Sequence, residues 1–277
     1  MFSKDTFFFD SEKLAALGES RSADYAKADP FPHAVLDNFL PQAVADEILD
    51  SFPDKSSEEW LKFQNAREKK SANNNDALMP PYIRHILGQF NSGAMCSFIE
   101  KLTGINGIIP DPYFWGGGQH QIEPGGYLKV HADFNWHDRL NLDRRVNLLL
   151  YMNKDWEESY GGHLELWDTK MEKCVQRILP IFNRCAIFST TSDSFHGHPE
   201  PLSCPHGRFR KSLALYYYTQ GRPENEKNET HSTLFRQRPG EGFKESDESA
   251  GIRTVVKKLV PPILIDGLNL LKSKDKN

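Results

Sequence analysis

Short apolar segments separated by turn residues follow one another along the chain from residue 111 onward, and this series constrains the fold most. The segments are rich in aliphatic and aromatic residues and are bounded by Gly, Pro and Asn, as β-strands are. The predicted strands are 119–123, 127–133, 145–152, 162–168, 174–179, 184–190, 194–198 and 211–219. Many short strands with frequent turns are typical of a sandwich or jelly roll.

The first hundred residues have a helical pattern instead. Helices are predicted at 11–27, 42–52 and 82–103, the last with apolar residues recurring on one side and with Gly104 as its terminator. The charged, Asn-rich stretch within 64–80 predicts an exposed loop, either a plain surface loop or a lid over a pocket. Helices before strands favour an α+β, mainly β fold: a double-stranded β-helix (jelly roll) with N-terminal helices packed on one sheet.

Three parts of the chain are predicted from these patterns. Residues 1–105 form a helical segment packed on the core, residues 106–220 form the double-stranded β-helix core, and residues 221–277 form a polar loop and a C-terminal helical extension. Two prolines interrupt the last apolar segment, so we expect a broken helix over 251–273. It would pack on the domain or on a partner subunit, which leaves a homodimer open.

Composition argues against several kinds of partner and location. Hydrophobic residues make up 38% and charged residues 26% of the 277 residues, as in soluble globular proteins. A net charge of -4 and a pI of about 6.2 argue against nucleic acid and anionic membranes as partners, and no apolar run reaches the roughly 20 residues of a membrane span. Four cysteines without a C-x-x-C pair, and a start without the apolar stretch of a signal peptide, predict reduced thiols in a cytoplasmic protein.

A histidine and an aspartate two positions apart stand at the end of one predicted strand. His131 and Asp133 share a strand face, so both side chains can reach one ion. The third ligand has to come from elsewhere, and the candidates are His196 and His198, which follow another strand. Two histidines and a carboxylate with open positions form the facial triad of non-haem Fe(II) oxygenases. The His-x-Asp pair alone is weak support, because short motifs often occur by chance.

A cluster of cations begins the last predicted strand, "GRFRKSLALYYYT". Strand parity puts Arg210 and Ser212 on one face. An arginine at the mouth of a β-barrel suits a dicarboxylate co-substrate, because a guanidinium donates two parallel hydrogen bonds to a carboxylate. Taken alone, the cluster is better explained by cations on an exposed strand edge, where they discourage edge pairing.

In combination, His131, Asp133, His196 and the R-x-S of residues 210–212 resemble the prolyl-4-hydroxylase-type branch of the Fe(II)/2-oxoglutarate-dependent dioxygenases. The intervening "VNLLLYMNKDWEESYGGHLELWD" is similar to the same part of the oxygen-sensing prolyl hydroxylases. The resemblance covers about residues 111–219. It implies His131, Asp133 and His196 as iron ligands and Arg210 as the partner of the distal carboxylate of 2-oxoglutarate.

The resemblance also implies further contacts with 2-oxoglutarate and leaves two details open. The residues implied to bind this co-substrate are Arg210, Tyr151, Ser212 and Gln121. Gln121 stands where the oxygen sensors have a tyrosine. The interval from His196 to Arg210 is longer than is usual in the family, so Arg208 or Lys211 could replace Arg210 as the carboxylate clamp.

The implied reaction is hydroxylation of a substrate C–H bond with Fe(II), 2-oxoglutarate and O₂, and with release of succinate and CO₂. In the related halogenases a small residue replaces the carboxylate ligand, so Asp133 argues for hydroxylation. The family favours a prolyl residue of a protein or peptide as the substrate. The alternatives are a hydroxylase of a free amino acid or other small metabolite and a non-catalytic β-sandwich binding module, since fold and cofactor do not determine substrate.

Overall fold

The computed structural model describes residues 7–54, 56–57 and 60–241. Residues up to Pro239 belong to one compact unit. Within the described residues the helices are α1 Ser11–Lys27, α2 Gln42–Asp50, α3 Pro81–Phe90 and α4 Gly93–Thr103, and the strands are β1 His33–Leu36, β2 Leu61–Gln64, β3 Glu68–Asn73, β4 Ile109–Pro110, β5 Gly118–Ile122, β6 Tyr127–Ala132, β7 Trp136–His137, β8 Leu142–Tyr151, β9 Leu164–Trp167, β10 Cys174–Ile178, β11 Arg184–Ser189, β12 His196–His198, β13 Arg210–Thr219 and β14 Leu234–Phe235.

The strands are antiparallel and follow the order β1-β11-β8-β13-β5-β3-β6-β12-β9-β10, with β2, β4, β7 and β14 pairing onto this path. They form a nearly closed, barrel-like jelly roll, so the predicted mainly β fold with N-terminal helices is confirmed. The helical extension predicted over 251–273 lies outside the described residues. The division of the chain at residues 105 and 220 stays a prediction.

The longest pairing, between β8 and β13, separates the core from the interior of the barrel. It runs from Tyr151 opposite Ser212 to Asp143 opposite Thr219. Because side chains alternate along a strand, one face joins the main hydrophobic core, which also contains the inner faces of the helices. The residues of these two strands in that core are Val146, Leu148, Leu150, Leu213, Leu215 and Tyr217. The opposite face points into the barrel.

The helix predicted over 82–103 is two helices, and that prediction is wrong at its centre. α3 ends at Phe90 and α4 begins at Gly93. The Ser92 side chain accepts a hydrogen bond from the Met95 backbone amide at 3.4 Å, which caps α4. The Asn91 side-chain amide donates to the Asp111 carbonyl oxygen at 2.9 Å. The apolar spacing continues across this break, which is why periodicity alone misses it.

The exposed loop predicted within 64–80 is largely a β-hairpin, which corrects that prediction. β2 pairs with β3, and β3 lies between β5 and β6 in the sheet. The Asn65 side chain closes the turn by accepting hydrogen bonds from the backbone amides of Arg67 and Glu68 at 2.8 and 3.1 Å. β2 is exposed along its whole length, so it has no buried apolar face. The charged residues of this stretch therefore obscured the strand pattern in the sequence.

The described residues contain no helix that is long and apolar enough to cross a lipid bilayer. All four cysteines are free thiols. The cytoplasmic location stays a prediction.

The contact between α1 and α4 depends on Gly18. A Cβ atom at this position would lie 2.9 Å from Lys101 Cβ and 2.9 Å from the Phe98 carbonyl oxygen, whereas at Gly88 of α3 it would meet no atom within 4 Å. We expect Gly18→Ala to lower the free energy of unfolding by about 1–2 kcal/mol through overpacking, and Gly88→Ala to raise it by about 0.5–1 kcal/mol through helix propensity. Urea denaturation measures both, and equal effects of the two variants would contradict the close helix contact.

Candidate metal centre and adjoining cavity

Three predicted ligands meet at one end of the barrel interior. His131 of β6 and His196 of β12 are directly opposite each other in the antiparallel pair, and Asp133 follows the end of β6. The Nε2 atoms of His131 and His196 lie 3.6 and 3.3 Å from carboxylate oxygens of Asp133. One ligand atom from each residue lies within 4.8 Å of the others, so the three can enclose a single cation.

Both histidines are held in the orientation and tautomer that a metal requires. The Nδ1 atoms of His131 and His196 lie 2.8 and 2.9 Å from the backbone carbonyl oxygens of Lys129 and Ser194. A carbonyl oxygen only accepts hydrogen bonds, so each Nδ1 carries the proton and each Nε2 presents a lone pair. Burial, and then repulsion by His196, lower the pKa of His131, which keeps its ring in the neutral, metal-binding form.

The carboxylate of Asp133 is fixed by two donors from β8. Its Oδ2 accepts hydrogen bonds from the Arg144 guanidinium at 2.9 Å and from the Asn147 amide at 2.7 Å. Burial opposes ionisation of Asp133, but Arg144 and then the histidines outweigh it and hold its pKa well below the usual range. Arg144 is itself fully buried, with its guanidinium 3.4 Å from the centre of the Tyr216 ring. Asp133 is therefore an ionised ligand candidate whose carboxylate is oriented by two hydrogen bonds.

Sequence analysis missed Arg144 and Asn147. The register between β8 and β13 shifts between Tyr217 and Tyr218, so that Tyr217 faces Val146 and Tyr218 faces Arg144. This bulge inverts the alternation of side chains, and it brings Arg144 to the same side as Asn147. Strand parity counted along the sequence cannot reveal such a shift.

A cavity of about 300 Å³ extends from the three ligands into the barrel. Arg210 and Ser212 of β13 lie on its wall, whereas β2 and β14 contribute Phe63 and Phe235. The Phe235 ring lies 5.4 Å from the ring of His131 and covers it. The strand β14 was not predicted, because it lies in the polar segment after residue 220.

Arg210 is the cation of β13 whose side chain lies on the wall of this cavity. Its side chain is buried, and its Nε donates to the Gly162 carbonyl oxygen at 2.7 Å, while an outer nitrogen donates to the Tyr151 hydroxyl at 3.4 Å. Gly162 has a φ of +72°, and a Cβ atom there would lie 2.6 Å from Leu202 and 3.0 Å from Arg210 Cδ. The second glycine of the "GG" pair is thus required by the close packing around Arg210.

The two other cations proposed for the clamp lie elsewhere. The Arg208 guanidinium donates to the carbonyl oxygens of Lys154 and Asp155 at 2.9 and 3.0 Å, at the surface. The Lys211 ammonium lies 5.2 Å from the centre of the Phe52 ring, on the opposite strand face from Arg210. Only Arg210 of these three lines the cavity.

Gln121 also lies away from the three ligands, which corrects its assignment. It pairs with Lys211 across the β5–β13 ladder and lines a separate groove. His120, one residue earlier, pairs with Ser212 and faces the cavity instead. The family spacing pointed to residue 121, but the long-range strand register decides which residue faces inward.

Two further histidines, His137 and His198, are separate from the triad. His137 is fully buried, and its Nε2 lies 3.5 Å from a carboxylate oxygen of Asp111. His198 lines the cavity two residues beyond His196, on the same side of β12. The donor set of two imidazole nitrogens and one carboxylate fits Fe(II) with open coordination positions.

Comparison with known families agrees with this donor set. Residues 117–218 match the 2OG-Fe(II) oxygenase superfamily. These residues form a 2OG-Fe(II) oxygenase domain. The matched residues contain the three metal-ligand candidates and Arg210. The predicted 2OG-Fe(II) oxygenase domain and its cofactors, Fe(II), 2-oxoglutarate and O₂, are confirmed.

Several relatives of this oxygenase domain are prolyl hydroxylases. The chain is 24% identical over 199 residues to the prolyl 3-hydroxylase OGFOD1 of Mus musculus, a match that covers 69% of this chain and 33% of that protein. The chain therefore aligns with about a third of the length of this curated relative.

Two solved structures share the fold of the oxygenase domain and its helices. One is a prolyl hydroxylase from Trichoplax adhaerens in complex with a peptide fragment of the hypoxia inducible factor oxygen degradation domain (TM-score 0.56, 20% identity, covering 78% of this chain and 96% of that one). The other is a prolyl-4-hydroxylase from Pseudomonas putida (TM-score 0.52, 19% identity, covering 75% of this chain and 100% of that one).

The buried Asp133–Arg144 pair predicts a pH-dependent stability of the metal-free protein. Since the folded-state pKa of Asp133 is depressed, its stabilising contribution is complete above the ordinary carboxyl pKa of about 4 and is lost as the pH falls through the folded value. We expect Asp133→Asn to cost about 3 kcal/mol near neutral pH and progressively less in acid. Urea denaturation with a chelator present measures this difference at each pH.

The exposed pair of Asp37 and Arg184, joined at 2.5 and 2.8 Å, provides the matched control. Asp37→Asn should cost less than about 1 kcal/mol because solvent screens the pair. A cost for Asp133→Asn that stays constant from neutral to acidic pH would contradict the assigned charge state.

The position of Arg210 predicts its effect on co-substrate binding. We expect Arg210→Met to raise the Kd for 2-oxoglutarate by about 30- to 100-fold, because a charge-assisted hydrogen-bond pair is lost. Arg208→Met and Lys211→Met should change it by less than about threefold. Anaerobic titration of the Fe(II)–protein with 2-oxoglutarate, followed by its visible charge-transfer absorption, measures all three. Equal losses in the three variants would contradict the assignment of Arg210 as the clamp.

Proposed function

We propose that this chain is a Fe(II)/2-oxoglutarate-dependent dioxygenase that hydroxylates a prolyl residue of a protein or peptide. The observation that carries the proposal is the presence of His131, Asp133 and His196 in one cavity with Arg210. The metal-ligand candidates and the carboxylate-binding cation are thus both inside the barrel. Relatives named prolyl hydroxylases support the substrate class.

Seven polar residues of the cavity have defined roles in this proposal. His131, Asp133 and His196 hold Fe(II), and Arg210 with Ser212 holds the distal carboxylate of 2-oxoglutarate. Arg144 and Asn147 keep the Asp133 carboxylate ionised and oriented. When bound, iron and 2-oxoglutarate supply the oxidation of a C–H bond by O₂, with succinate and CO₂ as products.

The rim of the cavity favours a polypeptide over a free amino acid. Leu61 and Phe63 of β2 lie at the cavity and are 54% and 37% exposed, and Phe235 of β14 lies on the same rim. Large apolar side chains exposed beside a cavity are typical of a surface that binds another molecule. Such a rim can contact residues on both sides of a proline, whereas a free amino acid would leave these apolar side chains exposed.

A substrate panel tests the proposal. The protein is incubated with Fe(II), ascorbate and 2-oxoglutarate, and with either an array of peptides that each contain one proline or the free amino acids. We expect succinate release to be stimulated by a subset of peptides, which gain one oxygen atom on proline, and Asp133→Ala to abolish both signals. Stimulation by a free amino acid and by no peptide would favour the small-metabolite alternative.

The position of the new hydroxyl group is a separate outcome of the same experiment. The relatives include a prolyl 3-hydroxylase and a prolyl-4-hydroxylase. Acid hydrolysis of the product peptide and chromatography against the two hydroxyproline standards distinguishes the two positions.

A further inference from the structure

His198 is a buried imidazole whose two ring nitrogens have no hydrogen-bond partner among the described residues. It is 4% exposed and lines the same cavity as the three ligands. Buried polar groups nearly always have a partner, so a ring with both nitrogens unpaired indicates a molecule that binds against it. An aliphatic residue would fill this position on the barrel wall without that penalty.

The strand β12 places His198 on the cavity wall together with His196. His196 is opposite His131 of β6 and His198 is opposite Leu128, with a register shift between the two pairs. A Cβ atom on the intervening Gly197 would lie 2.8 Å from the Leu128 carbonyl oxygen and 3.0 Å from that of Lys129. β12 is therefore pressed against β6, and its histidines both project into the barrel.

The surroundings of His198 identify the class of ligand. Arg210 and Lys70 line the same cavity, together with His131 and His120. Arg210 donates hydrogen bonds to Gly162 and Tyr151 through Nε and one outer nitrogen. The Lys70 ammonium nitrogen lies 3.0 Å from a carboxylate oxygen of Glu68 at the cavity wall. The cations of this cavity attract an anion, and an imidazole offers an N–H to a carboxylate in either tautomer.

His120 is a weaker candidate for the same contact. Its interaction with the backbone of Gly116 occupies one side of the ring, and only its Nε2 is buried without a partner. His198 has both nitrogens free and lies beside the clamp residue Arg210.

We propose that His198 donates a hydrogen bond to the distal carboxylate of 2-oxoglutarate and, with Arg210, makes the cavity selective for a dicarboxylate co-substrate. The inference rests on the proposed use of 2-oxoglutarate but not on the prolyl substrate. The residue is a specificity determinant of co-substrate binding. The three metal ligands are unaffected by it.

The test compares two ligands in the absence of O₂ and of substrate. 2-Oxoglutarate and 2-oxovalerate share a five-carbon 2-oxo acid, but 2-oxovalerate has a methyl group in place of the distal carboxylate. Their Kd values are measured on the Fe(II)–protein, from the charge-transfer absorption or by calorimetry. His198→Leu should raise the Kd for 2-oxoglutarate about tenfold or more and that for 2-oxovalerate by less than about twofold.

Two further variants separate a hydrogen bond from a loss of structure. His198→Gln keeps an N–H donor and should recover most of the 2-oxoglutarate affinity. His163→Leu removes another buried histidine, which does not line the cavity. The Nε2 of His163 lies 2.7 Å from a carboxylate oxygen of Glu158. It should leave both Kd values unchanged. Mn(II) affinity and the thermal midpoint are recorded for every variant.

Three results would overturn the inference: an unchanged Kd for 2-oxoglutarate in His198→Leu, equal losses for both oxo acids, or a parallel loss of Mn(II) affinity. Failure of the proposed use of 2-oxoglutarate gives a different result, because the wild-type protein would then show no 2-oxoglutarate binding at all.

Discussion

The antiparallel pairing of β8 with β13 determines both the core and the cavity. One face of this pair packs Leu148, Leu150 and Leu215 against the helices, and the other carries Asn147, Arg210 and Ser212 into the barrel. Because side chains alternate along a strand, a slip of one residue would exchange the two sets. Burial of the apolar face therefore fixes the register that turns Arg210 toward the cavity. The stability of the fold and the lining of the cavity share one structural cause.

Much of the fold and part of the site follow from local sequence pattern. Alternating apolar residues predict the strands of the jelly roll, and the spacing of two residues between His131 and Asp133 predicts that both face one ion. Features set by distant contacts could not be predicted in this way. The bulge beside Arg144 and the inward direction of His120 rather than Gln121 both depend on how β13 pairs with its neighbours. The break between α3 and α4 depends on a local cap within an uninterrupted apolar pattern.

The charge of the metal centre is balanced by residues outside the predicted motif. A buried carboxylate would be costly without a counter-charge, and Arg144 supplies it by a direct hydrogen bond. Arg144 in turn lies against the Tyr216 ring, and its own carbonyl oxygen accepts a hydrogen bond from Arg222. The ligand geometry is thus maintained by a chain of contacts that continues into the segment after β13.

The segments that cover His131 lie outside residues 117–218, the region that matches the superfamily. Phe235 of β14 and the hairpin of β2 and β3 lie beyond residues 117–218 on either side. Sequence changes in these two segments can therefore alter the entrance of the cavity without changing the three ligand candidates or Arg210. A chain shortened to residues 117–218 would keep those four residues and lose Phe235 and the hairpin beside them.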